Sequence, residues 1–226
     1  MNSLPGKTAR RRPLWDIPTR VFHWAVVCLL PLSWWSAEQQ RFEVHQWLGY
    51  TLLVLVLSRI LWGIVGSRHS RFADFLVGPA EVKRYLQGGG ARSRGHNPLG
   101  GWSVMLLLTL LLAQAVSGLF NSDDILFSGP LYYWVNSDVQ SAMGVIHEVV
   151  FNILLALVSL HICVVCFYQL HRREKLIQAM IAGSASGKEG LAPVVSKWRL
   201  VPIVLLVSCG LWLLIAQAPG PVYLGF

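Results

Sequence analysis

Five long apolar segments alternate with polar segments along the chain. They cover residues 21–37, 45–65, 102–120, 142–170 and 200–217. A helix of about 20 mostly apolar residues crosses the hydrocarbon core of a membrane, which is about 30 Å thick. The pattern therefore predicts an all-α integral membrane protein with five transmembrane helices. We number these predicted helices from one to five.

The composition agrees with a protein that is solvated largely by lipid. Only 13% of the 226 residues are charged and 54% are hydrophobic, whereas about 25% of the residues of soluble domains are charged. The first apolar segment follows a basic tail, as a secretory signal does, but no small-residue cleavage site follows it. We interpret this segment as a transmembrane helix rather than a cleaved signal.

Basic residues are distributed very unevenly between the two sides of the predicted membrane. The chain has 19 Lys and Arg, and all but Arg41 and Arg59 lie in the N-terminal tail or in the segments after predicted helices two and four. Because basic loops stay on the cytoplasmic side, the N-terminus is predicted to be cytoplasmic and the C-terminus to lie on the outer side, which for the inner membrane of a bacterium is the periplasm. The net charge of +8 then reflects topology and contact with membrane lipid, and no nucleic-acid partner is needed.

The segments between the helices divide the chain into four parts. Residues 1–20 form a basic cytoplasmic tail, residues 21–175 a four-helix bundle, residues 176–199 a cytoplasmic linker and residues 200–226 an extra C-terminal transmembrane helix. Glycine-rich stretches at 88–90 and 183–190 are typical of flexible linkers. All four cysteines lie in apolar segments, so disulfides are not expected.

Four of the seven histidines lie in or at the ends of predicted spans, where ionisable groups usually mark function. The chain direction puts His23 and His161 near the cytoplasmic ends of their helices, and His45 and His147 near the periplasmic ends. His147 and His161 are 14 residues apart, which places them on one helix face about 21 Å from each other. The sequence thus predicts two pairs of histidines, one in each leaflet.

A pair of imidazoles on facing helices suits a haem iron, which takes one neutral imidazole from each side of the porphyrin. A structural zinc ion fits less well because it prefers four close ligands. A mixed site of His161 and Cys163 remains an alternative, although the two residues point to different sides of the helix. Cys163 and Cys166 form a Cys-x-x-Cys pair, but no histidine follows it, so it is not a covalent haem site.

Other residues are assigned by their place relative to these histidines. Arg20 and Arg59 share helix faces with His23 and His45 and are predicted to pair with the propionates of the cytoplasmic haem, with snorkelling to the interface as the alternative. Gly49 and Gly144 lie about one turn from a histidine, where a small residue lets a flat macrocycle approach, or simply another helix.

The other three histidines lie outside the predicted spans. His69, His96 and His171 lie in loops and are predicted to be solvated. His96 has the alternative role of lining a quinone pocket.

Several motifs resemble one known family. They are WDIPTRVFHW (15–24), HQWLGY (45–50), SRILWGIVGSRHSRF (58–72) and GHNPLGGW (95–102), together with the two histidines of helix four. Over about residues 13–175 the chain resembles bacterial cytochrome b561 and the b-type cytochrome subunits of nickel–iron hydrogenases. The resemblance implies a four-helix bundle with two haem b groups, whose ligands are His23, His45, His147 and His161, and electron exchange with a quinone and a periplasmic partner.

The resulting functional hypothesis is electron transfer between ubiquinone or menaquinone and a periplasmic redox protein, such as a c-type cytochrome, a dehydrogenase or a hydrogenase. One alternative is a quinone-reducing superoxide oxidase, although Arg41 is the only basic residue on the predicted periplasmic side. Another alternative is the membrane anchor of a hydrogenase. A transporter without haem is disfavoured because no Asp or Glu lies near the centre of a span.

Overall fold

The computed structural model describes residues 13–89, 95–123, 125, 127–185, 190 and 193–219. Helices are the only regular elements in these residues, which confirms the all-α prediction. Their bounds are α1 Ile17–Glu38, α2 Phe42–Val65, α3 Phe72–Phe75, α4 Pro79–Leu86, α5 Pro98–Gly118, α6 Ser137–Leu170, α7 Leu176–Ala182 and α8 Leu200–Ala216. Most of the basic tail, Arg92, Arg94, Asp124 and Lys188 lie outside the described residues.

In the part of the chain that the structure describes, four helices are long and apolar enough to cross a membrane, so the chain is a multi-pass membrane protein. They are α2, α5, α6 and α8, the last taken together with the short turn that precedes it. The first predicted span does fold as the helix α1, but α1 is not among the four. The reason is that Arg20, two prolines and several Ser and Trp residues make it the least hydrophobic of the long helices.

Side-chain caps set where three of the long helices begin. Asp16, Asn97 and Asn136 each accept a hydrogen bond from the backbone N–H three residues later, at the starts of α1, α5 and α6. Helices α5 and α6 therefore begin four and five residues before the apolar segments at 102 and 142. Helix α6 is 34 residues long and extends beyond the membrane core at one end or both.

Helix α2 lies at the centre of the bundle, where it packs against α1, α5 and α8, while α5 also packs against α6. Leu52 and Val56 of α2 meet Leu111 of α5 and Val150 and Leu154 of α6 in the main core cluster. Most other apolar side chains of α6 and α8 are exposed on the outside of the bundle. These surfaces suit contact with lipid.

The two ends of the bundle differ in polarity. At one end α1 begins and α2 ends, and we call it the Arg59 end. Here Asp16, Thr19, Arg59, Ser67 and Ser70 are all buried. The opposite end, where α1 ends and α2 begins, is called the His45 end. The short helices α3 and α4 lie at the Arg59 end, where α3 contacts α2 and α4 contacts α5.

The four cysteines Cys28, Cys163, Cys166 and Cys209 are free and exposed. Gly183, predicted as part of a flexible linker, instead ends α7 in the left-handed conformation at φ +88°. Its carbonyl accepts hydrogen bonds from the backbone N–H groups of Leu14 and Trp15, so it ties α7 to the start of α1.

His96 is partly buried, so the prediction that it is solvated is wrong. Its ring lies between those of Trp15 and Phe75, with centroid distances of 4.7 and 4.6 Å. Burial lowers the pKa of His96 to about 4, with smaller contributions from the charges of Arg59 and His69. His171, by contrast, is exposed as predicted.

We expect the stability of the protein to fall between pH 6.5 and pH 4 because of His96. The unfolded chain binds a proton below the ordinary pKa of 6.5, whereas the folded protein resists it down to about 4. At pH 5 this costs about 2 kcal/mol of unfolding free energy relative to pH 7.5. Thermal unfolding of His96→Gln in detergent should lose less stability over this range than the parent. An equal loss in both proteins would contradict the role of His96, and His171→Gln is the matched control.

Candidate functional site

His45 of α2 and His147 of α6 come together at the His45 end of the bundle. Their ring centroids are 6.3 Å apart and the ring planes are inclined at 78°. Both side chains are partly buried. The structure therefore brings together two histidines that are 102 residues apart in the chain, as the depth argument from sequence predicted.

Hydrogen bonds determine the tautomer of His45. Its Nδ1 lies 2.9 Å from the backbone carbonyl oxygen of Ser33 and 3.3 Å from Oγ of Ser36, both on α1. Because a carbonyl oxygen only accepts, Nδ1 must carry the proton. The lone pair of Nε2 is then available to bind a metal.

Hydrogen bonds to α5 determine the tautomer of His147 in the same way, with the proton on Nδ1. Its Nδ1 lies 3.0 Å from the carbonyl oxygen of Gln114 and 3.1 Å from Oγ of Ser117. Its Nε2 accepts a hydrogen bond from the side-chain amide of Gln114 at 3.1 Å. The amide donor thus contacts the same lone pair that would bind a metal, and Oε1 of Gln114 is buried without a hydrogen-bond partner.

Gly118 leaves the space that the His147 ring needs. A Cβ atom at this position would lie 3.0 Å from Cε1 of His147, closer than most such contacts. The two glycines predicted to admit a macrocycle differ from each other. A Cβ atom on Gly49 would meet no atom within 4 Å, whereas a Cβ atom on Gly144 would lie 3.3 Å from Oδ1 of Asn121. Open space at Gly49, one turn from His45, fits the close approach of a flat group.

The geometry of the pair fits a haem iron. A metal–imidazole bond is about 2 Å long, so two imidazoles on opposite sides of one metal have ring centres about 6 Å apart. No group of three or more His, Cys, Asp or Glu side chains forms a metal site in the described part of the chain. A porphyrin would supply the remaining ligands of its iron itself, so two neutral imidazoles would be sufficient once the Gln114 amide turns away from Nε2 of His147.

His23 and His161 lie in the half of the bundle nearer the Arg59 end, and fewer contacts fix their rings than fix the rings of His45 and His147. Nδ1 of His23 is buried without a hydrogen-bond partner, and its ring makes an edge contact with Trp24 at 5.1 Å. His161 is exposed on α6. The two residues therefore lie in the half of the bundle that the depth argument predicted, but Nδ1 of His23 has no hydrogen bond of the kind that orients His45 and His147.

Arg59 lies between the bundle and the loop from α2 to α5, and its side chain is only 4% exposed. One guanidinium nitrogen donates to the carbonyl oxygen of Ser70 at 3.2 Å, and the group stacks 5.4 Å above the ring of Phe72. Nη1 is buried without a hydrogen-bond partner. A buried guanidinium with an unused donor can bind an additional carboxylate.

Arg20 is used differently. Its guanidinium donates to the carbonyl oxygens of Met180 and Ile181 in the last turn of α7. A cation at this position satisfies carbonyl groups that lack partners within the helix. Pairing of Arg20 with a propionate remains a prediction.

Sequence reasoning missed the residues that orient the histidines of the His45 end. These are Ser33, Ser36, Gln114, Ser117 and Gly118. The only available signal was local, namely polar residues three positions apart on the apolar helices α1 and α5. Which histidine such residues face depends on helix packing and cannot be deduced from one helix alone.

A family model described as prokaryotic cytochrome b561 matches residues 14–183, about three quarters of the chain. No curated protein and no solved structure matches the chain. The matched region contains all four histidines of the spans, both arginines and the residues that orient His45 and His147.

Proposed function

The chain belongs to the prokaryotic cytochrome b561 family, and from this premise we propose that it binds two b-type haems and transfers electrons between membrane quinone and a periplasmic redox protein. The family implies binding of b-type haem and a function in electron transfer. The observation that carries the proposal is the pair formed by His45 and His147, whose rings are 6.3 Å apart and whose Nδ1 atoms both donate to backbone carbonyls, which leaves the lone pair of each Nε2 as the acceptor that an iron would use.

Four histidines act as ligands in this proposal. His45 and His147 hold one haem, and His23 and His161 hold the other. The unused Nη1 donor of Arg59 supports its pairing with a propionate of the second haem. A bound haem supplies an iron that changes its oxidation state by one electron. The protein holds the imidazoles neutral and in place, and the apolar walls of α2, α5 and α6 keep water away.

The proposed topology places the Arg59 end in the cytoplasm of a bacterium and the His45 end in the periplasm. Basic residues at the Arg59 end support this orientation, and Arg41 is the single basic residue of the loops at the His45 end. In this topology α1 also crosses the membrane, which its 22-residue length and its packing against α2 support. The C-terminus is then periplasmic.

The electron partners follow from this placement. A quinone, either ubiquinone or menaquinone, reaches the protein through the lipid. The periplasmic partner is a c-type cytochrome, a dehydrogenase or a hydrogenase that docks at the His45 end. Exposed acidic residues there, among them Glu43 and Asp138, favour a basic docking surface.

The test is a reduced-minus-oxidised absorption spectrum of the purified protein with haem quantified per chain. We expect two haems per chain, extracted by acidified solvent because neither is covalent. Folded protein that was produced with haem available and still contains none would overturn the proposal. A single haem per chain would refute the second site and leave the first to be located by mutation.

A further inference from the structure

His45 and His147 share an arrangement that involves a serine and a backbone carbonyl. On α1, Oγ of Ser36 donates to the carbonyl oxygen of Ser33 at 2.8 Å, and that carbonyl also accepts from His45. On α5, Oγ of Ser117 donates to the carbonyl oxygen of Gln114 at 3.1 Å, and that carbonyl also accepts from His147. We call each arrangement a serine–carbonyl clamp.

Each clamp presents two acceptors to one Nδ1–H group. A carbonyl oxygen has two lone pairs, so it accepts from the serine and from the histidine at once. The serine hydroxyl donates its hydrogen bond to the carbonyl and therefore turns its lone pairs toward Nδ1, at 3.3 Å in His45 and 3.1 Å in His147. Ser36 and Ser117 are 0% and 1% exposed, so water cannot replace either hydroxyl.

The other pair of histidines lacks this support. Nδ1 of His23 is buried and has no hydrogen-bond partner. The buried cation of Arg59 lies at the same end of the bundle. The two pairs therefore differ both in hydrogen bonding to the ligands and in nearby charge.

We propose that Ser36 and Ser117 are positioning residues that make the haem held by His45 and His147 the one with the lower reduction potential. The inference rests on the proposed function. Acceptors at Nδ1 make an imidazole more basic, and a more basic ligand stabilises ferric over ferrous iron. At the opposite end the missing acceptor and the positive charge of Arg59 both favour the ferrous state.

The test is a potentiometric titration of the purified protein and of two variants, Ser36→Ala and Ser117→Ala. Each substitution removes one acceptor and leaves the carbonyl. We expect each to shift the ferric–ferrous equilibrium of the lower-potential haem two- to fourfold toward the ferrous form. Since tenfold corresponds to 59 mV for one electron, the potential rises by about 20–40 mV. The electron paramagnetic resonance signal of the same oxidised haem should change as well.

Ser103→Ala is the matched control, because Oγ of Ser103 also donates to a carbonyl three residues earlier on α5, and this carbonyl is not the one that accepts from His45 or from His147. It should leave both potentials unchanged. A shift confined to the higher-potential haem, or no shift in either serine variant, overturns the inference while two bound haems uphold the proposed function. Folded protein that binds no haem overturns both.

Discussion

The His147→Ala protein should retain one haem per chain instead of two. In the proposed function His147 is one of only two side-chain ligands at its site, and its ring is held by two hydrogen bonds at Nδ1. Loss of a group that merely orients a metal ligand already costs about 10- to 100-fold in affinity, so loss of the ligand itself should empty the site. Haem quantified per chain, together with the difference spectrum, measures the loss.

Pairing of the ligands is tested by the identity of the haem that disappears. His45→Ala should remove the same spectral and redox component as His147→Ala. His23→Ala and His161→Ala should both remove the other component. His171→Ala is the control, since His171 is exposed just beyond α6 and stacks on Phe167. If all four variants lose equal amounts of both components, the assignment of ligands to two levels is wrong.

The pairs of histidines were predictable because helical geometry is regular. Chain direction gives the depth of each residue in the membrane, and the 14-residue spacing of His147 and His161 puts them on one face. These arguments require no knowledge of side-chain packing. They were enough to place His45 opposite His147, whose rings lie 6.3 Å apart in the structure.

The hydrogen bonds around the histidines were not predictable, because they join residues of different helices. Ser36 acts on a histidine nine positions away, whereas Ser117 acts on one 30 positions away. Which helices pack against each other depends on the sum of many weak apolar contacts. This packing cannot be read from the sequence when the apolar segments have similar compositions. For the same reason the partners of Arg20 came from α7, a helix that the sequence analysis treated as linker.

Irregular segments were misjudged for a related reason. The loop between α2 and α5 is rich in Gly, Ser and Arg, so solvation of His96 was the natural expectation. Packing of Trp15 and Phe75 against its ring instead removes it from water. Local polarity therefore predicted where the long helices end to within two residues, but it placed the starts of α1, α2, α5 and α6 three to five residues too late and predicted the burial of single loop residues poorly.

The Asp16→Ala protein should be less stable by about 3–5 kcal/mol, the usual cost of removing one partner from a buried group of charges. Asp16 is 2% exposed. Its carboxylate accepts from the backbone N–H of Thr19 at 3.0 Å, which caps α1, and from Nε1 of Trp62 at 2.8 Å. Its negative charge also attracts the buried positive charge of Arg59. Thermal unfolding in detergent, followed by helical circular dichroism, measures the change.

Two further variants separate the contributions of Asp16. Asp16→Asn keeps an oxygen that can cap α1 but loses the charge, so its stability should fall between that of the parent and that of Asp16→Ala. Asp138→Ala changes an exposed acid in the first turn of α6 and should cost less than about 1 kcal/mol. Equal midpoints for Asp16→Ala and Asp138→Ala would show that the buried charge is not essential.

Lowering the pH should reproduce part of the loss of stability that is expected for Asp16→Ala. Burial opposes ionisation of Asp16, but hydrogen bonds from Thr19, Ser67 and Trp62 outweigh it and lower the pKa below the ordinary 3.8. The folded protein therefore releases this proton more readily than the unfolded chain does. Stability from Asp16 is complete above the ordinary pKa and is lost as the pH falls through the lowered one. Asp16→Asn should lack this component of acid unfolding, while the loss between pH 6.5 and 4 that arises from His96 persists in it.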